Sequence, residues 1–296
     1  MYSKIKEVKN RMYGLLALSV LLASFNSIGL SKVNLGKNNR IFNLNLITAL
    51  IWCILLFFVS GCSPIINSKT IIWGCAYGLV QSMFILFKAL SLRNGPVSIT
   101  TLIGNSSMLL SIMVSMLLWQ ESITTAQILG VLVLILSIIL CTYKKSSADY
   151  TAKWKYYAIL FFIFAGCVGI IFKSFSKNVN PEFTNGMMFV SAIVMTVCYT
   201  MFCLCTKSLK PFLNPQNKAS FAVYAVLTAI LSCLYNRLNI FLSGNLQSII
   251  FFPGFNGGVL LLSTLLSVFI CKEKLSLKQI AGLFLGTLAI CIISIF

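Results

Sequence analysis

A chain of 296 residues with 58% hydrophobic and only 9% charged side chains is not a soluble domain, in which about 25% of residues are charged. Its net charge of +18 comes as short clusters between apolar runs, such as Lys4, Lys6, Lys9 and Arg11, or Lys144, Lys145, Lys153 and Lys155. That pattern suits lipid headgroups and argues against nucleic acid as a partner.

Ten apolar segments follow in order, near 12–32, 41–61, 70–92, 96–119, 123–143, 155–176, 184–206, 218–243, 247–270 and 276–296. Crossing the hydrocarbon core takes roughly 20 apolar residues, so the expectation is an all-α integral membrane protein with ten transmembrane helices. The first segment follows basic residues, as a secretory signal peptide would. Its apolar run continues through Ile28-Gly29-Leu30, so it reads as the first span. It carries Ser19, Ala23 and Asn26, and the second segment carries Trp52.

In the third segment Tyr77, Gln81, Phe84 and Lys88 recur at helical spacing and share a face. Gly74 and Gly78 on the same segment permit close helix approach. The fourth segment offers Ser98, Thr101, Asn105 and Met108. The eighth repeats the stripe with Ser232, Asn236, Asn239 and Ser243, beside Tyr235 and Arg237. The ninth contains Pro253-Gly254, followed by Asn256; the missing proline N–H predicts a kink or break there. Gly282 and Gly286 in the tenth point to packing against the fifth segment rather than to a dimer contact.

The two halves match. A shift of 152 positions, the separation of Glu121 and Glu273, also places Gln127 on Gln279, Ile128 on Ile280, Gly130 on Gly282 and Ser115 on Ser267. Five helices per unit force the second copy to enter the membrane from the opposite side. The expected organisation is two inverted five-helix repeats, 1–145 and 146–296.

Residues 88–98 run Lys88-Ala89-Leu90-Ser91-Leu92-Arg93-Asn94-Gly95-Pro96-Val97-Ser98. They are followed by Gln120-Glu121-Ser122-Ile123-Thr124 and Gln127-Ile128-Leu129-Gly130. With the second copy, Lys272-Glu273-Lys274-Leu275-Ser276 and Gln279-Ile280-Ala281-Gly282, this resembles the EamA-like branch of the drug/metabolite transporter superfamily. Gln120 and Lys272 replace the usual glycine, and Ser248 stands where the family's helix-entry proline belongs in the second half. The resemblance implies alternating-access transport of small metabolites without naming a substrate.

Glu121 and Glu273 each precede a helix start, where exposed N–H groups and the helix dipole stabilise a carboxylate; capping is their expected role. All five acids, Glu7, Glu121, Asp149, Glu182 and Glu273, fall near segment ends or in loops. The spans therefore offer no embedded carboxylate for proton-coupled export of organic cations, and no acid, imidazole or metal cluster for an enzyme. Eleven cysteines without Cys-x-x-Cys, and no histidine, read as small apolar side chains, so neither a metal nor another cofactor is expected.

The candidate solute-binding residues are Asn26, Trp52, Tyr77, Gln81, Lys88, Asn105, Tyr235, Asn236, Arg237, Asn239 and Asn256. Lys88 and Arg237 are the cations available to an anionic group; each also lies near enough to a segment end to snorkel. The expected cavity is lined by segments 1, 3, 4, 6, 8 and 9 and takes a small polar metabolite, zwitterionic or anionic. Two alternatives stand: export of hydrophobic or quaternary cations through cation–π contacts, and a membrane scaffold that moves nothing. The partners expected are the small-molecule substrate and the lipid bilayer, for a monomer or homodimer in the plasma membrane. Four cations before the first helix favour cytoplasmic termini, although the external loops then carry about twice as many cations as the internal ones, against the positive-inside rule.

Overall fold

A computed structural model describes residues 2–32, 40–95, 97–142, 152–206, 218–271 and 276–295. The described residues form helices and no strand: α1 (Tyr2–Lys32), α2 (Arg40–Val59), α3 (Ser68–Asn94), α4 (Val97–Ser106), α5 (Met108–Trp119), α6 (Thr125–Thr142), α7 (Ala152–Asn178), α8 (Thr184–Cys205), α9 (Lys218–Asn245), α10 (Ser248–Cys271) and α11 (Leu277–Ile295). Among the described residues nine of the ten apolar segments each fall on one helix, and the fourth falls on two, α4 and α5. Among the described residues eight spans are long and apolar enough to cross a membrane, and α6 is a shorter apolar helix over Thr125–Cys141. The boundary between 145 and 146, Asp149 and Glu273 lie outside the described residues.

Helix starts are written locally. Asn67 and Thr70 open α3 with a reciprocal capping box, each side chain accepting from the other's backbone N–H at 2.8 Å. The repeated glutamines do the same work. Gln127 Oε1 accepts from Thr124 N at 3.0 Å and Thr124 Oγ1 accepts from Gln127 N at 3.2 Å. In the second half Ser276 and Gln279 make the equivalent pair at 2.9 and 3.3 Å.

Of the kink or break expected at Pro253, the structure shows no break, and another segment is broken instead. α10 continues through Pro253, its sixth residue, so the one N–H removed there does not interrupt it. Segment 4 breaks instead, into α4 and α5 at Ser107, whose hydroxyl donates to the Gly104 carbonyl at 2.6 Å. A side chain that bonds back onto the preceding turn competes with the helical ladder.

The glycines reveal the symmetry. A Cβ on Gly130 would meet Ile293, and one on Gly282 would meet Cys141; adding 152 to 130 and to 141 gives 282 and 293, so the two contacts are copies of each other. In both, the start of one helix meets the end of its partner, so α6 and α11 lie antiparallel. A two-fold axis that exchanges antiparallel helices is perpendicular to them and lies in the membrane plane. Other pairings obey it: α1 packs on α9 as α7 packs on α3, and α1 packs on α10 as α7 packs on α4 and α5. Ser137 Oγ donates to the Gly282 carbonyl at 2.6 Å across this seam. Gly286 faces Ser137 and Leu261, which accounts for the small residues of the last helix inside the protomer.

Candidate solute cavity

A rank of aromatic contacts fixes how α3 lies on α7. Trp73 meets Phe175, Tyr77 meets Phe172 at 4.9 Å, and Phe84 meets Phe161 at 5.4 Å. The helices therefore run antiparallel, with Lys88 toward the Phe161 end and Lys173 at the Phe172 end. Between these helices and α1, α4, α5, α9 and α10 lies a cavity of about 450 Å³. Its wall includes both Phe161 and Phe172, which are ~16 Å apart along a helix rising 1.5 Å per residue. The lining comes from segments 1, 3, 4, 6, 8 and 9. At the Phe161 end the lining residues Ser27 and Thr101 are exposed; at the Phe172 end Ser111, Gly169, Phe172, Phe251 and Phe252 are buried. The cavity is open at the first end and blind at the second.

Seven of the residues expected from sequence line this space: Gln81, Lys88, Asn105, Tyr235, Asn236, Asn239 and Asn256. Lys88 Nζ lies 5.7 Å from the centre of the Phe84 ring, and no acidic residue is among the lining. The hydroxyl of Ser19 donates to Asn239 Oδ1 at 2.6 Å, which turns the Asn239 amide N–H groups to other use. Asn236 is held from two directions: Tyr77 donates to its Oδ1 at 3.5 Å, and its Nδ2 donates to the Ser232 carbonyl at 2.7 Å. Asn256 Nδ2 donates to the Phe252 carbonyl at 3.0 Å, leaving Oδ1 and one N–H.

The other four do not line it. Tyr77 is buried behind Asn236. Trp52 braces α9 from outside the cavity, donating to the Ala229 carbonyl at 3.0 Å and to Ser232 Oγ at 3.1 Å. Asn26 is buried beside Tyr235. Arg237 is exposed and off the Asn236/Asn239 face, the position of a snorkelling cation.

The fold also assembles a group that sequence reasoning passed over. Lys173, with a side chain 0% exposed, pairs with Glu121, 14% exposed. Its ammonium also donates to Ser248 Oγ and lies 5.5 Å from the centre of the Trp119 ring. The second oxygen of Glu121 accepts from the Ser248 backbone N–H at 2.8 Å. Glu121 is thus a cap, but of α10 in the other half and not of α6, whose cap is Thr124. Ser248 explains itself here: a proline at that position would have neither the N–H nor the hydroxyl. Lys173 lies four residues before Lys177 at the end of an apolar run, where a cation reads as interfacial. The acid in one half and the departure from proline in the other were the available signals.

A sequence profile of the EamA-like transporter family matches twice, over residues 10–143 and 152–295. The chain belongs to the EamA-like transporter family. It is accordingly a multi-pass membrane transporter of small solutes. Among solved structures 28 chains match. One crystal structure is similar with a TM-score of 0.72 at 15% identity, covering 96% of this transporter and 98% of that chain, and shows the shared fold. No curated protein matches in sequence. Among the described residues of this EamA-like transporter no three His, Cys, Asp or Glu side chains gather as they would around a metal.

Proposed function

We propose that this transporter carries a small zwitterionic or anionic metabolite, such as an amino acid or other organic acid, by alternating access through the central cavity. One observation carries the reading: Lys88 faces the cavity, among carboxamides, with no acidic residue in the lining. A cation in such surroundings costs several kcal/mol unless it is solvated or paired, and an anionic group entering from the open end supplies the pair. The Asn239 amide adds N–H groups to the wall, since its oxygen is already engaged by Ser19. A quaternary ammonium would meet the like charge of Lys88, so cation export is disfavoured.

The halves act as the moving bodies, 1–145 against 146–296, with facilitated diffusion or exchange as the transport mode. The protein works in the plasma membrane with both termini cytoplasmic, as monomer or homodimer. On that orientation the open end of the cavity faces outward.

The test is a thermal-shift screen of amino acids, organic acids and phosphorylated metabolites on purified protein, followed by counterflow in proteoliposomes. A solute that stabilises the wild type and exchanges is expected to do both far more weakly with Lys88→Met. Stabilisation by choline-like compounds alone would sink the reading.

A further inference from the structure

The blind end of the cavity coincides with the Glu121–Lys173–Ser248 group. Lys173 directly follows Phe172, and Ser248 lies one helical turn before Phe251 and Phe252; all three phenylalanines form the cavity floor. The group therefore sits immediately beyond that floor. It ties three separate pieces of chain together. Glu121 belongs to the α5–α6 connection of the first half, Lys173 to α7 and Ser248 to the start of α10 in the second. Opening a passage at this end requires α7 and α10 to part from the α5–α6 connection, and each parting movement stretches one of these bonds.

We infer that Glu121, Lys173 and Ser248 form a polar lock that holds the cavity shut at its Phe172 end. This deepens the transport reading and rests on it. The lock suits a closure that must be reversible. A buried pair is strong while dry, yet water entering as the helices part hydrates both charges and lowers the cost of release. An apolar plug of similar area lacks that compensation, because wetting it is unfavourable throughout. The Trp119 ring over Lys173 covers the ammonium on a further side.

The test needs no solute, so its failure is distinct from failure of the substrate reading. Hydrogen exchange is followed on the reconstituted full-length protein for wild type, Glu121→Gln, Ser248→Ala and the double variant Glu121→Gln/Lys173→Met. The double variant removes the interaction without stranding a buried charge, so it remains interpretable if Glu121→Gln alone unfolds. In the double variant the amides of the first turns of α10 and the last turns of α7 are expected to exchange about tenfold faster, the factor carried by one charge-assisted hydrogen bond. The α6–α11 seam should stay as protected as in wild type. Ser248→Ala, which keeps the backbone N–H to Glu121, should show a smaller rise at the same peptides. Unchanged exchange at the blind end in the double variant would overturn the lock. So would an equal rise across all helices, because that marks a general structural staple.

Discussion

Lys88 and Lys173 stand toward opposite ends of one cavity and are treated oppositely by the fold. Lys173 is fully buried and held by Glu121 and Ser248 outside the cavity, whereas Lys88 lines it with the Phe84 ring 5.7 Å away and no acidic residue in the lining. The same side-chain type serves cohesion in one place and is left available in the other. The difference is the acid brought in by the α5–α6 connection.

Replacing Lys88 separates these roles. For any acidic solute that stabilises the wild type, Lys88→Met is expected to weaken binding ~10- to 100-fold, the range of a hydrogen bond to a charged group. Lys88→Arg should retain part of the affinity. Isothermal titration checks both, and unchanged affinity in Lys88→Met would remove Lys88 from the site.

Arg237 provides the contrast. It is exposed and outside the cavity, so Arg237→Gln should leave solute affinity within about twofold, since surface changes usually fall within ~0.5 kcal/mol. A tenfold loss would mean that the cavity has been drawn in the wrong place.

Breaking the Glu121 pair should cost stability asymmetrically. Glu121→Gln leaves the Lys173 charge buried without its partner, a loss of about 3–5 kcal/mol for a fully buried pair, and less here because Glu121 is 14% exposed. Adding Lys173→Met should recover much of the fall. Thermal unfolding in detergent decides it: a double variant no more stable than Glu121→Gln would contradict the pairing.

The helix seam is equally testable. A side chain at Gly282 would meet the Cys141 backbone nitrogen at 2.9 Å and its sulfur at 2.8 Å. Gly282→Val should therefore destabilise by ~1–3 kcal/mol through overpacking. Nothing lies within 4 Å of the Cβ position at Gly14, so Gly14→Ala in α1 should be neutral or stabilising by up to ~1 kcal/mol. Equal melting temperatures for the two variants would refute the seam.

What was legible in the sequence was whatever repeats. The shift of 152 exposed Gln127 with Gln279 and Gly130 with Gly282, and the structure gives the reasons as capping boxes and reciprocal close contacts. The polar stripes marked the cavity face because Asn and Gln at helical spacing within apolar runs must find a wet or bonded environment. What escaped were contacts with no periodic trace. Lys173 and Glu121 are 52 residues apart and meet only through the fold. The break at Ser107 depends on a hydroxyl turning back to Gly104, whereas α10 runs without a break through Pro253, the site of the expected kink or break.

One hydrogen atom distinguishes the two halves. Two identical copies, exchanged by a two-fold axis in the membrane plane, would by alternating access rest facing either compartment with the same free energy, and any preference would have to be imposed by solute gradients. Ser248 possesses the amide proton given to Glu121, and its repeat counterpart Pro96, being an imino acid, has none to give. If transport proceeds by the alternating access proposed above, this difference biases the empty carrier toward one facing, written into the chain where the duplicated halves diverged.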